Sequence, residues 1–406
     1  MKNQFVLKVK IVFACLLMQL FFGNVFSQNS ISSKALDTLL KAAEETQTDG
    51  LLIYLDGKIV GEYYFGKSPR KVETMSSTKS IVSLAIGKLL TDGKIKSLDQ
   101  PVSDFYPEWK QGMKSNITLR HLLNHTSGLQ NFPSTSKEIY PSPDFVQLAL
   151  SAEVVNIPGS YFSYNNKAVN LIAGVVRKAS GQRMDIYLKE KLFAPLGITD
   201  FDWTLDRAGN PHGMSGFQAY PKDFLKLGQL WLQQGLWEGQ QIISKEFFVE
   251  AGTPGKLSPS CGLLWWIHYE KSYAIIDDAQ IDTLKKAGLP EDVIKRINSI
   301  KGKYVLEEYI PLFNQKVKAF TPEWDTKYTS LLLNKGLSVS RKEYSKPIGF
   351  STNGYLGNYM VVYPGKNLVV VRLISYQSFI KKGGTQDGTG HNNFVHFFEL
   401  AGKLVK

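Results

Sequence analysis

From Gly50 to Gly66 the chain alternates apolar and turn-forming character. Leu51-Leu52-Ile53-Tyr54-Leu55 and Ile59-Val60-Gly61-Glu62-Tyr63-Tyr64-Phe65 flank Asp56-Gly57. An Asp-Gly pair between apolar runs supplies the positive-φ positions of a two-residue turn, so this segment predicts a β-hairpin. The far end repeats the pattern, with Tyr359 to Tyr363 and Leu368 to Ile374 on either side of Pro364-Gly365-Lys366, and a closing helix is expected from about Asn392 to Leu404. Between the ends the period shifts from two to three-and-four. Ile81, Leu84, Ala85 and Leu89 predict an amphipathic helix that Asp92-Gly93 stops, and Asn166 to Ser180 and Lys222 to Gln234 read as helices too. Strands at both termini and helices in the middle indicate an α/β (α+β) domain built from the two chain ends, residues 28–91 and 251–406, with an inserted mainly helical domain at 92–250. Residues about 271–345 read as a further insertion, in which Asp278 to Lys303 forms two short helices broken at Gly288-Leu289-Pro290. A surface appendage and a lid over a site both fit that segment. No internal repeat or low-complexity tract occurs.

Composition adds limits. At 406 residues with 43% hydrophobic and 12% aromatic content, the chain has ample material for a core and for two subdomains. Residues 1–27 stand apart: Lys2, Lys8 and Lys10 precede an apolar run from Ile11 to Phe26, interrupted by Gln19, Gly23 and Asn24, with Ser27 at its end. This reads as a secretory signal peptide, which places the mature protein in the periplasm or outside the cell; the alternative is an uncleaved N-terminal anchor. Cys15 falls inside that run, so Cys261 is the one cysteine left after cleavage and no intrachain disulfide is available. Losing three lysines lowers the net charge from +12 to about +9. The surplus Lys and Arg are scattered rather than clustered, which argues against nucleic acid as a partner.

The candidate chemistry starts at Ser76-Ser77-Thr78-Lys79. Serine and lysine three apart are neighbours on a helix surface, and a desolvated lysine activates a nearby hydroxyl. Ser-x-x-Lys also occurs at Ser68/Lys71, Ser134/Lys137 and Ser378/Lys381, so context must choose. Pro69 follows Ser68, Ser134 lies in a polar stretch between Pro133 and Pro141, and Ser378 ends a strand-like run. Only Ser76 opens an apolar helix, where it is either a nucleophile or an ordinary N-cap. A third group is needed to carry the proton between nucleophile and leaving group. Tyr164, in Tyr161-Phe162-Ser163-Tyr164-Asn165-Asn166, is the one tyrosine with Asn two residues later, and it precedes a predicted helix.

With these motifs the sequence resembles the serine β-lactamase-related family: class C β-lactamases, DD-peptidases, family VIII esterases and aminohexanoate-oligomer hydrolases. Further stretches carry the likeness, among them Leu119 to Leu129 (Leu-Arg-His-Leu-Leu-Asn-His-Thr-Ser-Gly-Leu), Leu171 to Val176, Pro195 to Asp200 and Pro221 to Gly228. The resemblance spans about residues 45–265 and 347–375. It implies a β-lactamase/transpeptidase-like fold with an antiparallel sheet flanked by helices, Ser76 as nucleophile, Lys79 as electrostatic partner and relay, and Tyr164 as general base and then acid. A phenol of pKa about 10 serves as base at neutral pH only where an adjacent ammonium favours its ionised form. Asn166 would orient Lys79 or bind a substrate amide. The family's third motif, a cation followed by Thr or Ser and Gly, falls best on Thr352-Asn353-Gly354, and there the cation is missing. Such a cation is expected to meet a substrate carboxylate, so its loss weakens the β-lactam and D-Ala-D-Ala readings. The N–H groups of Ser76 and Tyr355 would form the oxyanion hole, with Gly354 permitting close approach of the strand.

His121 and His125 read as structural, fixing the Thr126-Ser127-Gly128 turn, and His391 as a cap of the last helix. Trp265-Trp266 reads equally as pocket lining or core. There is no Gly-x-Ser-x-Gly elbow, no His-Glu-x-x-His and no phosphate-cradling glycine loop, so neither a metal nor another cofactor is expected. The expectation is an enzyme: a secreted or periplasmic serine hydrolase acting on a small-molecule or peptide-like amide or ester. The alternatives are a DD-peptidase or β-lactamase proper, or a penicillin-recognising sensor that acylates without turnover.

Overall fold

A computed structural model of the chain describes residues 30–132, 134–381, 394 and 396–405. The expected signal peptide, Cys15, His391 and the start of the closing helix lie outside them. The chain divides into two compact units: one of residues up to Thr74, Gln218–Leu232 and from Gly354 onward, the other of Met75–Phe217 and Gln233–Asn353. No helix among the described residues is long and apolar enough to cross a membrane.

The first unit holds four antiparallel strands in the order Lys58–Tyr63, Gly50–Leu55, Leu368–Leu373 and Asn358–Tyr363. Both predicted hairpins are present, turning at Asp56-Gly57 and at Pro364–Lys366. Every residue of the three strands Gly50–Leu55, Asn358–Tyr363 and Leu368–Leu373 is buried. That is why their sequences run continuously apolar instead of alternating: helices cover both faces. Leu51, Ile53, Leu55, Val361 and Val370 pack with Leu39 and Ala43 of helix Ser33–Glu45 and with Phe397 and Ala401 of helix Phe397–Gly402. The other face meets helix Pro221–Leu232, whose Gly228 lies so close to the sheet that a Cβ there would stand 2.6 Å from Val369. Ser378 proves to sit in a short helix, Tyr376–Ile380, rather than at a strand end, and its hydroxyl donates to Asp49 at 2.6 Å. It belongs to an ion cluster in which Lys67 and Arg70 also reach Asp49.

The second unit is organised by helices Thr78–Thr91 and Asn166–Ser180. The first departs from the expected amphipathic form, being buried at every position from Thr78 to Gly87. Its solvent-excluded polar residues, Ser80 and Lys79 among them, therefore need partners inside the unit. Gly174 lets the second helix approach Tyr106, whose hydroxyl would lie 2.1 Å from an added Cβ. Three strands follow in the order Cys261–Gly262, Trp265–Tyr269 and Pro347–Gly354. Between the last two, residues 272–344 form a three-stranded sheet and helices Asp278–Lys286, Glu291–Asn298 and Leu306–Lys316 around a separate core that includes Ala274, Ile276, Leu284, Ile297 and Val317.

Candidate active site

Ser76 does not cap the Thr78–Thr91 helix. It lies in a single 3-10 turn, Met75–Ser77, that leads into it, and Met75 takes the left-handed conformation at φ 52°. A non-glycine residue held there costs of order 1 kcal/mol, and the surrounding packing must hold it. The turn places the half-buried Ser76 hydroxyl beside Lys79, whose Nζ donates to it at 3.0 Å and to the Met214 carbonyl at 2.8 Å. Lys79 is 3% exposed. Burial pushes its pKa below the ordinary lysine value, and the neighbouring Tyr164 pulls partly back by charge and hydrogen bonding. Its Nζ stands 4.9 Å from the centre of the Tyr164 ring.

The Met214 carbonyl is itself held. Asn170, on the Asn166–Ser180 helix, accepts the N–H of Gly213 at 2.8 Å and that of Met214 at 3.0 Å through the same Oδ1. Gly213 is pressed against that helix, where a Cβ would stand 2.5 Å from the Val169 carbonyl oxygen.

Tyr164 is braced from two sides. Its ring packs on His125, centroids 4.6 Å apart, and stacks with Trp266 at 6.3 Å and 21°. The residues flanking it are tied to the same histidine: Ser163 N–H donates to the His125 carbonyl at 2.8 Å, and Asn165 N–H to its Nδ1 at 3.1 Å. His125 therefore carries its proton on Nε2. Burial, with Lys79 nearby, pushes its pKa down to about 3, so it is neutral over the working range. Asn165 also caps the helix, its Oδ1 accepting from the Ala168 N–H. The role expected for His125, fixing a turn, falls short of this: it is the clamp for the Tyr164 loop. The spacing along the chain carries no sign of the pairing.

Ser76, Lys79, Ser80, His125, Tyr164, Cys261, Leu264 and Trp266 enclose a cavity of about 10 Å³, room for one water at most. Of the tryptophan pair, Trp266 lines it, while Trp265 is 1% exposed and belongs to the core. Leu264 arrives through a tight hairpin in which both central residues, Leu263 (φ 43°) and Leu264 (φ 66°), take positive φ. Ser80 Oγ donates to the Leu264 carbonyl, and the Leu263 N–H to Asn124 Oδ1, pinning that turn. A larger cavity of about 510 Å³, lined by Asp99, Arg120, Glu250 and Lys256, shares only Cys261 with the first. The Cys261 thiol is pushed up to about 12 by burial, which makes it inert.

The structure thus brings Ser76, Lys79 and Tyr164 together. Asn166 starts the helix behind Tyr164, is absent from the cavity wall, and has a buried Oδ1 without a partner among the described residues. Asn353 lies two residues beyond Ser351, which pairs with the cavity-lining Trp266 across antiparallel strands. Gly354 and Tyr355 belong to the first unit. There a Cβ at Gly354 would stand 2.3 Å from the Thr74 carbonyl oxygen, so close approach does require glycine. The turn after it, with Leu356 at φ 67° and Gly357 at φ 88°, is held by the buried Arg372 donating to both carbonyls at 2.9 and 2.6 Å.

A family model described as Beta-lactamase matches residues 36–253. A Bacillus subtilis protein provisionally named penicillin-binding protein PbpX is 27% identical over 177 residues, 41% of this chain and 44% of the relative. The chain thus matches less than half the length of that curated relative. Among solved structures, a Bacteroides dorei protein provisionally named a beta-lactamase aligns over 92% of this chain and 99% of its own, with TM-score 0.62 and 16% identity. A Bacillus anthracis protein provisionally named a 6-aminohexanoate-dimer hydrolase aligns over 85% of this chain and 79% of its own, with TM-score 0.57 and 16% identity. These two likenesses establish the fold.

Proposed function

This chain belongs to the beta-lactamase family, and we propose that it is a serine hydrolase that cleaves an amide or ester through an acyl group on Ser76. The observation that carries the reading is the buried Lys79 ammonium, held at once on the Ser76 hydroxyl and beside the Tyr164 ring. Burial lowers the cost of removing a proton from this lysine, and the neighbouring Tyr164 pulls partly the other way by charge and hydrogen bonding. In the first step Ser76 Oγ attacks the substrate carbonyl carbon as its proton passes to the Tyr164–Lys79 pair. The tetrahedral oxyanion is met by backbone N–H groups, among which the family resemblance implies that of Ser76. Collapse breaks the bond to the leaving amine or alcohol, which receives the proton from Tyr164. Water then attacks the ester on Ser76, with Tyr164 as base, and frees the acid. Secretion through residues 1–27 is part of the proposal.

The absence of a Lys or His at Thr352 favours esters and simple amides over β-lactams and D-Ala-D-Ala peptides. A DD-peptidase, a β-lactamase or a non-turnover sensor remains the rival, favoured by the penicillin-binding name of the relative. The test is to treat the mature chain, Ser76→Ala and Tyr164→Phe with a fluorophosphonate probe, and to screen p-nitrophenyl esters, a chromogenic cephalosporin and D-Ala-D-Ala peptides. We expect labelling and ester turnover that Ser76→Ala abolishes. Undiminished labelling of Ser76→Ala would sink the assignment, and stoichiometric labelling without turnover of any substrate would favour the sensor.

A further inference from the structure

The strand face that carries Trp266 toward the nucleophile also carries a polar relay. Side chains alternate along a strand, so Trp266 and His268 share a face, as do Ser351 and Asn353. Ser351 pairs with Trp266, so all four share one strand face, the face whose Trp266 lines the Ser76 cavity. His268 Nε2 and Ser351 Oγ are 2.8 Å apart, and Ser351 Oγ donates to Asn353 Oδ1 at 3.0 Å. Ser351 is fully buried and its hydroxyl has a single proton. With that proton committed to Asn353, the oxygen must accept from His268, which fixes the histidine as a neutral ring with its hydrogen on Nε2. Burial keeps it neutral by pushing its pKa down to about 4. The chain of donors ends at the half-exposed Asn353 amide, whose oxygen accepts from Ser351 and whose two N–H groups have no partner among the described residues.

We propose, resting on the hydrolase reading, that the Asn353 amide, oriented by the Ser351–His268 relay and one place after the motif's missing cation at Thr352, is a substrate-recognition group, and that it selects an uncharged carbonyl over a carboxylate. An amide N–H satisfies a carbonyl oxygen fully. A carboxylate brought to the same place would lose its hydration without meeting a full positive charge. The cavity wall offers no compensation: Lys79 is its only cationic side chain and is engaged by Ser76 and Met214, while His125 is neutral. Asn353 thus acts as a specificity residue, and Ser351 and His268 as positioning residues.

The test compares kcat/KM for the neutral p-nitrophenyl butyrate with that for mono-p-nitrophenyl glutarate, of similar length but ending in a carboxylate. The unmodified enzyme should favour the neutral ester by about tenfold or more, the scale of one charge-assisted contact. Asn353→Lys should cut that preference by at least about tenfold, and Asn353→Asp should raise KM for the neutral ester by about tenfold while changing kcat less. His268→Gln, which keeps a side-chain N–H donor, should retain the preference that His268→Leu loses; a merely structural histidine would show no such split. Labelling of Ser76 by a neutral fluorophosphonate, measured on every variant, reports an intact nucleophile. Ester turnover with a preference unchanged within twofold in Asn353→Lys overturns this proposal alone. No labelling and no ester turnover in the unmodified enzyme overturns the hydrolase reading and this proposal with it.

Discussion

Asn170→Ala should lower stability and rate together. The side chain is 1% exposed and its Oδ1 accepts two backbone N–H groups, from Gly213 and Met214. Stranding a buried donor costs about 1–3 kcal/mol, so two would cost roughly 2–6. Part is returned, because Asn170 Nδ2 is itself buried with no partner among the described residues, and its removal relieves about 1–2 kcal/mol. The net expectation is a loss of about 1–4 kcal/mol, toward the low end if water enters the vacated space. The effect on rate follows from the next link. Met214 supplies the carbonyl that holds Lys79 Nζ at 2.8 Å, and a displacement near 1 Å in a catalytic group costs on the order of 100-fold. Urea unfolding and kcat/KM on p-nitrophenyl butyrate, measured on the same preparation, give both numbers. We expect a stability loss near 2 kcal/mol with a drop of about 10–100-fold in kcat/KM, mostly in kcat. Gly213→Ala should act similarly from the opposite side, since its Cβ would crowd the Val169 carbonyl at 2.5 Å. Lost stability with unchanged kcat in both variants would refute the coupling from the helix through Met214 to Lys79.

Three further outcomes follow from the same geometry. His125 has a folded pKa of about 3 against 6.5 unfolded; the unfolded chain binds the extra proton, so stability falls as pH drops below 6.5, by about 2 kcal/mol between pH 7 and 5. Urea midpoints for His125→Gln should show that part of the acid slope removed, and an unaltered slope would argue against a buried neutral histidine. Tyr164 raises the Lys79 pKa against the pull of burial, so in Tyr164→Phe the acid limb of residual fluorophosphonate labelling should move to lower pH; a move upward would contradict the pairing. Leu264→Gly should widen the Ser76 cavity and relieve a positive φ of 66°. The glycine returns about 1 kcal/mol while the lost buried side chain costs about 2–4, so a net loss in urea should accompany a relative gain on longer acyl esters, and an unchanged chain-length profile would show that Leu264 does not bound the acyl site.

Much of the first unit was legible because hairpins advertise themselves locally. Asp56-Gly57 and Pro364–Lys366 set their turns through backbone preferences that the residues themselves carry. The Asn166–Ser180 helix was equally plain, with a capping Asn165 and a left-handed Gly181 closing it. The Thr78–Thr91 helix is legible in position but differs in kind. Its apolar spacing suggests one buried face, yet Thr78, Ser80 and Ser83 are buried as well: Thr78 Oγ1 accepts from the Phe217 N–H and Ser80 Oγ donates to the Leu264 carbonyl, while the Ser83 hydroxyl has no partner among the described residues. Ser378 reads as a strand end because Leu368 to Ile374 runs toward it, whereas the helix Tyr376–Ile380 turns on the Ser375 cap, a short-range signal masked by the apolar run.

At the site, legibility stops where side chain gives way to main chain. That Ser76, Lys79 and Tyr164 lie together is an expectation the sequence raises, because the proposed chemistry needs those side chains at those spacings. The groups that hold them are of another sort: the Met214 carbonyl for Lys79, the His125 carbonyl for Ser163, the Leu264 carbonyl for Ser80. Any residue has a carbonyl, so the sequence cannot mark which one accepts. What it can mark is the side chain that fixes such a carbonyl in place. Asn170, Gly213 and His125 are three such residues, each buried or crowded in a way that leaves few substitutes. Under the proposed function, Lys79 lies two links from Asn170 and is sensitive to it, and the sensitivity is carried by backbone geometry rather than by any contact between the two side chains.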